Sequence, residues 1–239
     1  MNMVNIYNIN LNIVEREFRG FHMNIGSYSE CFGLAANGFK LSEDDCAIVL
    51  NQGKDYAERG GWRGGTCWIK KLDKIELQNI PARRFANSVS AYFRVTGLGS
   101  LDSFSRPLAL IYRGSPLNTL THVEEGYFVS KFINGPRLYN IFSKLTYPKK
   151  ETILRSMGVL LKACSEKGVY PLDFAPRDIV LRDYNPERKL GVPVIVDTEH
   201  IEFGEGHSKE LIEKQREQFR FDYKHFVPNR YQNMPHLHS

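Results

Sequence analysis

The chain has 239 residues, 42% hydrophobic and 25% charged, with a formal net charge of +5. That length can bury a large core, as one two-lobed domain or two small ones, and the composition is that of a soluble globular protein rather than a disordered or fibrous one. It excludes three classes: no apolar run is long enough to span a bilayer, residues 1–12 lack the basic start and apolar core of a signal peptide, and no stretch interleaves dense Lys and Arg with aromatics as a nucleic-acid surface does. Cys31, Cys46, Cys67 and Cys164 are scattered, without zinc-ligand spacing. A reducing, cytoplasmic compartment is therefore the expectation. The modest positive charge suits a nucleotide, a phosphorylated substrate or peripheral contact with an anionic membrane.

The first predicted elements are a strand, a glycine turn and a second strand over residues 16–36, centred on Ile25-Gly26-Ser27-Tyr28-Ser29-Glu30-Cys31-Phe32-Gly33. Two segments compete for the next strand. One is 45–50. The other is Gly65-Thr66-Cys67-Trp68-Ile69-Lys70-Lys71-Leu72, preceded by a glycine-rich hairpin that includes Gly60, Gly61, Gly64 and Gly65. Residues 80–96 have helical spacing, with Phe85, Val89, Tyr92, Phe93 and Val95 on one apolar face. Residues 107–112 and 126–135 read as strands joined by a polar loop, and Leu138–Phe142 as a short helix. The next helix has Pro148 in its first turn. It places Ile153, Met157, Leu160, Leu161 and Cys164 on one face and ends at Gly168, a residue suited to the C-terminal cap. Residues 179–181 and 192–196 read as two short buried strands around a polar turn. The charged stretch 206–226 reads as a surface helix that packs Leu211, Ile212, Phe219 and Phe226, and Pro228 follows it.

Around that last strand pair stand three carboxylates. Asp173 and Asp178 are five positions apart, and Asp197 follows Val194-Ile195-Val196. Phosphoryl transfer from a nucleotide uses such a set: one carboxylate orients the attacking hydroxyl, and oxygen ligands hold magnesium against the phosphates. Asp pairs at this spacing are also ordinary turn formers. What singles these out is their context, a helix before them and a hairpin between. The spacing and the element order resemble the protein-kinase-like superfamily in its minimal form, near the bacterial lipopolysaccharide-core kinases and the truncated effector-type kinases.

The resemblance implies an α+β, two-lobed protein-kinase-like fold. Residues 1–133 would form a small antiparallel-sheet lobe with one helix, covering the nucleotide. Residues 134–239 would form a truncated, mainly helical large lobe, since 42 residues follow Asp197. It implies ATP and Mg2+ as cofactors, bound in the cleft between lobes. Asp173 takes the catalytic position, Asp197 the metal-binding position, and Asp178 the second metal position, where the family has Asn. Gly26 and Ser27 fall in the glycine-rich turn, with Tyr28 replacing its middle glycine. Lys70 falls in the strand-lysine position; if 45–50 were the strand instead, that position would be Val49. Lys131, Phe132 and Ile133 would form the linker that meets adenine, with Lys131 and Ile133 as its contacts.

Some features depart from the pattern. No glutamate lies between residues 81 and 97 to pair with the lysine, and Glu76 is upstream of the helix. Pro171 and Leu172 precede Asp173 where the family has His or Tyr, then Arg or Gly. Glu199 and His200 adjoin Asp197 and are more simply a surface group and a structural histidine. The expected function is transfer of the γ-phosphate of ATP to a hydroxyl of a sugar, a lipid-linked sugar or a protein. Two alternatives stand beside it: a pseudokinase-like binding or regulatory protein, and an α+β binding protein in which the three Asp residues only form turns.

Overall fold

The computed structural model describes residues 23–27, 31–36, 41–52, 58–73, 81–96, 104–114, 123–187, 190–198 and 200–224. The chain divides into two compact units, Met1–Ser90 with Arg106–Phe132, and Ala91–Ser105 with Ile133–Ser239.

The first unit is built on a six-stranded antiparallel sheet in the order β1-β2-β5-β6-β4-β3. Its strands are β1 (Met23–Ser27), β2 (Cys31–Ala36), β3 (Glu58–Trp62), β4 (Gly65–Leu72), β5 (Pro107–Gly114) and β6 (Val123–Lys131). β1 and β2 pair as the glycine spacing predicts, with Gly26 opposite Gly33; the turn residues 28–30 lie outside the described residues. The glycine-rich hairpin is β3–β4. It turns through Arg63 (φ 47°) and Gly64 (φ 70°), the two positive φ values that a twisted two-residue hairpin turn demands. Strand alternation turns Cys67 and Ile69 of β4, Ala109 and Ile111 of β5, and Val129 of β6 into one apolar cluster with Leu41, Val49 and Trp62.

The competing strand at 45–50 is overturned: those residues belong to a helix, α1 (Glu43–Gln52). The cause is a capping box. Ser42 Oγ accepts from the Asp45 amide at 3.2 Å, and the Asp45 carboxylate accepts from the Ser42 amide at 2.8 Å. Arg63 then clamps the Asp45 carboxylate, its Nε donating at 2.8 Å. Burial alone would raise the pKa of Asp45, but the bonds from Arg63 and Ser42 outweigh it and hold it below the usual carboxylate range. The predicted helix at 80–96 is α2 (Pro81–Thr96). Phe85 of α2 meets Phe128 of β6 edge to face, with ring centres 5.4 Å apart.

In the second unit, α3 is Leu138–Phe142, α4 is Tyr147–Glu166 and α5 is Lys209–Tyr223. β7 (Val169–Pro171) pairs antiparallel with β10 (Ile201–Phe203), and β8 (Ile179–Arg182) with β9 (Val192–Ile195). The apolar stripe of α4 is buried at Ile153, Leu154, Met157, Leu160, Leu161 and Cys164. It packs with Phe142, Phe174, Phe219 and Tyr223 and with Ala91 and Val95 of the α2 C-terminal half. Gly168 ends α4 in the left-handed region (φ 66°), and its amide donates to the Ser165 carbonyl at 2.9 Å. The strand expected over 126–135 stops at Lys131, so Lys131 closes β6 while Ile133 begins the second unit's segment.

Candidate active site

The loop that carries Asp173 and Asp178 is fixed at both ends by backbone pairing. It leaves β7 at Pro171, and the Leu172 amide donates to the His200 carbonyl at 2.9 Å. Asp173, Phe174 and Ala175 follow, then the single 3-10 turn Pro176–Asp178, which suits Pro at its start. The Asp178 amide closes this turn on the Ala175 carbonyl at 2.8 Å. From there the chain enters β8. The β8–β9 hairpin is tied on each open edge: Leu181 N–H donates to Pro136 at 3.0 Å, and Ser105 N–H donates to Ile195 at 2.9 Å. The Val196 amide reaches back to the Asp178 carbonyl at 2.9 Å. This register brings Asp197, two residues past β9, beside Asp178.

The electrostatics follow from that convergence. The side chain of Asp178 is buried and hydrogen-bonded to that of Asp173. Its carboxyl is pushed up to about 7, first by burial and then by the negative charges of Asp173 and Asp197. Arg177 opposes the shift, with Nε 3.2 Å from Asp178 Oδ2, and is itself held more firmly protonated by that carboxylate. A fourth carboxylate, Asp222 of α5, also feels Asp173. Its pKa is raised by burial and by that charge, against the Gln218 side chain, which donates to it at 2.8 Å, and against Arg177. Nothing in the sequence singled out Asp222, which sits in a charged helix among other surface carboxylates.

Among the described residues, no three His, Cys, Asp or Glu side chains form a self-sufficient metal cage. A magnesium ion held against phosphates does not require one: one or two carboxylates suffice, with waters and phosphate oxygens completing the octahedron. Asp178 and Asp197 are the right donors chemically, hard anionic oxygens. Burial and the charges of Asp173 and Asp197 disfavour the charged form of Asp178, and a cation held there would relieve that cost. His200 is exposed, and Glu199 lies outside the described residues.

The loop is also held by α5. Gln215 Nε2 donates to the Pro171 carbonyl at 2.8 Å, and the Tyr223 hydroxyl donates to the Phe174 carbonyl at 3.0 Å. Neither residue was legible as a functional one; their four-residue spacing with Leu211 and Phe219 was the available signal.

Gly26, Ser27, Lys70 and Lys131 belong to the first unit, and Ile133 to the second with the three carboxylates. Gly26 and Ser27 are the last residues of β1. Lys70 lies opposite Phe128 in the β4–β6 ladder, on the strand face away from Cys67 and Ile69. Its neighbour Lys71 is ion-paired to Glu125 at 2.9 Å. β4 pairs with β6 and β3; the strand beside β2 is β5, and β5 contains no lysine. Lys131 is exposed, and its amide donates to the Arg106 carbonyl at 2.8 Å.

No family model and no curated protein sequence matches this chain. Its fold does match solved structures. One is WaaP in complex with acyl carrier protein, at a TM-score of 0.53 and 13% identity, over 98% of this chain and 83% of that one. At that identity the likeness speaks for the fold alone: a mixed α/β chain with an antiparallel sheet and a kinase-like fold.

Proposed function

We propose that this protein is an ATP-dependent phosphotransferase that passes the γ-phosphate to a hydroxyl of a sugar, a lipid-linked sugar or a protein. One observation carries the reading: in a kinase-like fold, Asp173, Asp178 and Asp197 converge at one end of the β8–β9 hairpin, with Asp173 hydrogen-bonded to Asp178. Asp173 orients the acceptor hydroxyl and takes its proton. Asp178 and Asp197 would hold Mg2+, which would supply positive charge to neutralise the phosphates. Gly26 and Ser27 cover the phosphates, Lys70 neutralises them, and Lys131 and Ile133 meet the adenine through their backbone. The compartment we assign is the cytoplasm. The buried thiols of Cys67 and Cys164 suit reducing surroundings, and no described helix is long and apolar enough to cross a membrane.

The test is ATP consumption with a panel of sugar and protein acceptors. Asp173→Asn should keep nucleotide binding and lose turnover by roughly two orders of magnitude or more. Turnover that survives the substitution would remove Asp173 from the mechanism. A second reading, a pseudokinase-like binding protein, is favoured by one feature: α2 carries no acidic residue along its whole length to organise a strand lysine. Nucleotide binding without turnover by the wild type would select it.

A further inference from the structure

We infer that Tyr223 and Gln215 are the positioning residues of the carboxylate loop, holding from one helix the backbone carbonyls that flank Asp173. The inference rests on the reading of Asp173 as the group that orients the acceptor. The loop's own sequence offers little support. Pro171 and Pro176 have no N–H, and neither Pro171 nor Leu172 brings a side-chain donor. The support comes instead from a distant part of the chain.

Gln215 and Tyr223 are both fully buried, at 0% exposure, and sit eight residues apart in the row that faces the core. The Tyr223 hydroxyl donates at 3.0 Å to the carbonyl of Phe174, the residue after Asp173. The Gln215 amide donates at 2.8 Å to the carbonyl of Pro171, two residues before Asp173. A buried hydroxyl or amide is costly unless its hydrogen bond is made, so these contacts select the loop conformation that makes them. The phenol ring itself cannot drift. It is stacked on Phe219 with centres 4.4 Å apart, edge-on to Phe142 at 6.1 Å, and its oxygen lies 3.7 Å from the Met157 sulfur. Gln215 Oε1 is buried without a partner among the described residues, so the bond to Pro171 orients that amide. A carboxylate carried between two such anchors stays where an acceptor hydroxyl can meet it, and orientation of this kind acts on turnover more than on binding.

The test compares Tyr223→Phe with Leu211→Ala. The first deletes one hydroxyl and keeps the ring; the second loosens the same helix without touching either bond. Two readouts are needed, steady-state kinetics and amide exchange by mass spectrometry. The Leu172 and Asp178 amides, bonded to His200 and Ala175, are the exchange reporters. Tyr223→Phe should speed exchange across 172–178 by about tenfold with α5 still protected, because one lost bond to a buried carbonyl is of that order. It should lower kcat by about tenfold and leave KM for Mg-ATP within about twofold. Leu211→Ala should move global stability and neither of the other readouts. Wild-type exchange in the Tyr223→Phe loop, or equal loop exchange in both variants, would overturn the proposal. A wild type that turns over no ATP would sink the kinase reading, and the exchange result would still decide whether α5 holds the loop.

Discussion

Asp178 is an acid held away from its preferred charge state, and that has a consequence for stability. Its carboxyl titrates near 7 in the folded chain against 3.8 as the ordinary value. Between those two pH values the folded state keeps a proton that the unfolded state has released. Stability of the metal-free protein therefore falls as pH rises through that window, and the loss is complete above the folded value. Asp222 is shifted in the same direction and adds to the slope. Thermal unfolding at pH 5 and pH 8 should show a drop in Tm that Asp178→Asn reduces; identical pH profiles would exonerate Asp178. The two neighbouring lysines separate in a similar way. Lys71 and Glu125 are each about a quarter exposed (25% and 26%), so Lys71→Ala should cost at most ~1 kcal/mol of stability and leave nucleotide affinity alone. Lys70→Ala should weaken Mg-ATP binding, because adjacent strand positions face opposite sides. Calorimetry on both variants checks this, and equal small effects would withdraw Lys70 from the site.

At the scale of elements, local signals were dependable where they involved punctuation. Pro148 and Gly168 bracketed α4, the glycine hairpin became β3–β4, and the two apolar runs after Asp178 became β8 and β9. The short apolar run at 45–50 was ambiguous by periodicity, and the Ser42–Asp45 box, which decides it, is a weaker cue than the run itself. Tertiary closeness adds constraints that no local rule shows. Gly135 has φ 153°, and a Cβ there would fall 2.2 Å from the Leu181 carbonyl oxygen, on the strand that follows the carboxylate loop. Gly135→Ala should therefore destabilise by about 3 kcal/mol or more, measured by urea unfolding. A loss below about 1 kcal/mol would mean that β8 yields easily.

For the whole molecule, the decisive measurement is a thermal shift with nucleotide and magnesium. Ligand that binds only the folded state stabilises it by ~2.7 kcal/mol at a hundredfold excess over Kd. Mg-ATP should raise Tm, and ATP with a chelator should raise it much less, since Asp178 and Asp197 then repel the phosphates. No shift with Mg-ATP would favour a binding protein of another kind. The sequence by itself determined most of the elements and the candidate carboxylates, because caps, strand alternation and helical periodicity act over a few residues; it left the helix at 43–52 and the short strands β7 and β10 unread. It also marked Asp173, Asp178 and Asp197 as a set, through their order around two strands. Only the tertiary structure decided that β5 rather than β4 stands beside β2. The same holds for Asp222 joining the carboxylates, and for Gln215 and Tyr223 holding their loop. Strand order and burial are set by partners far apart in the chain. A polar side chain in a charged helix shows its role only once the core has closed over it.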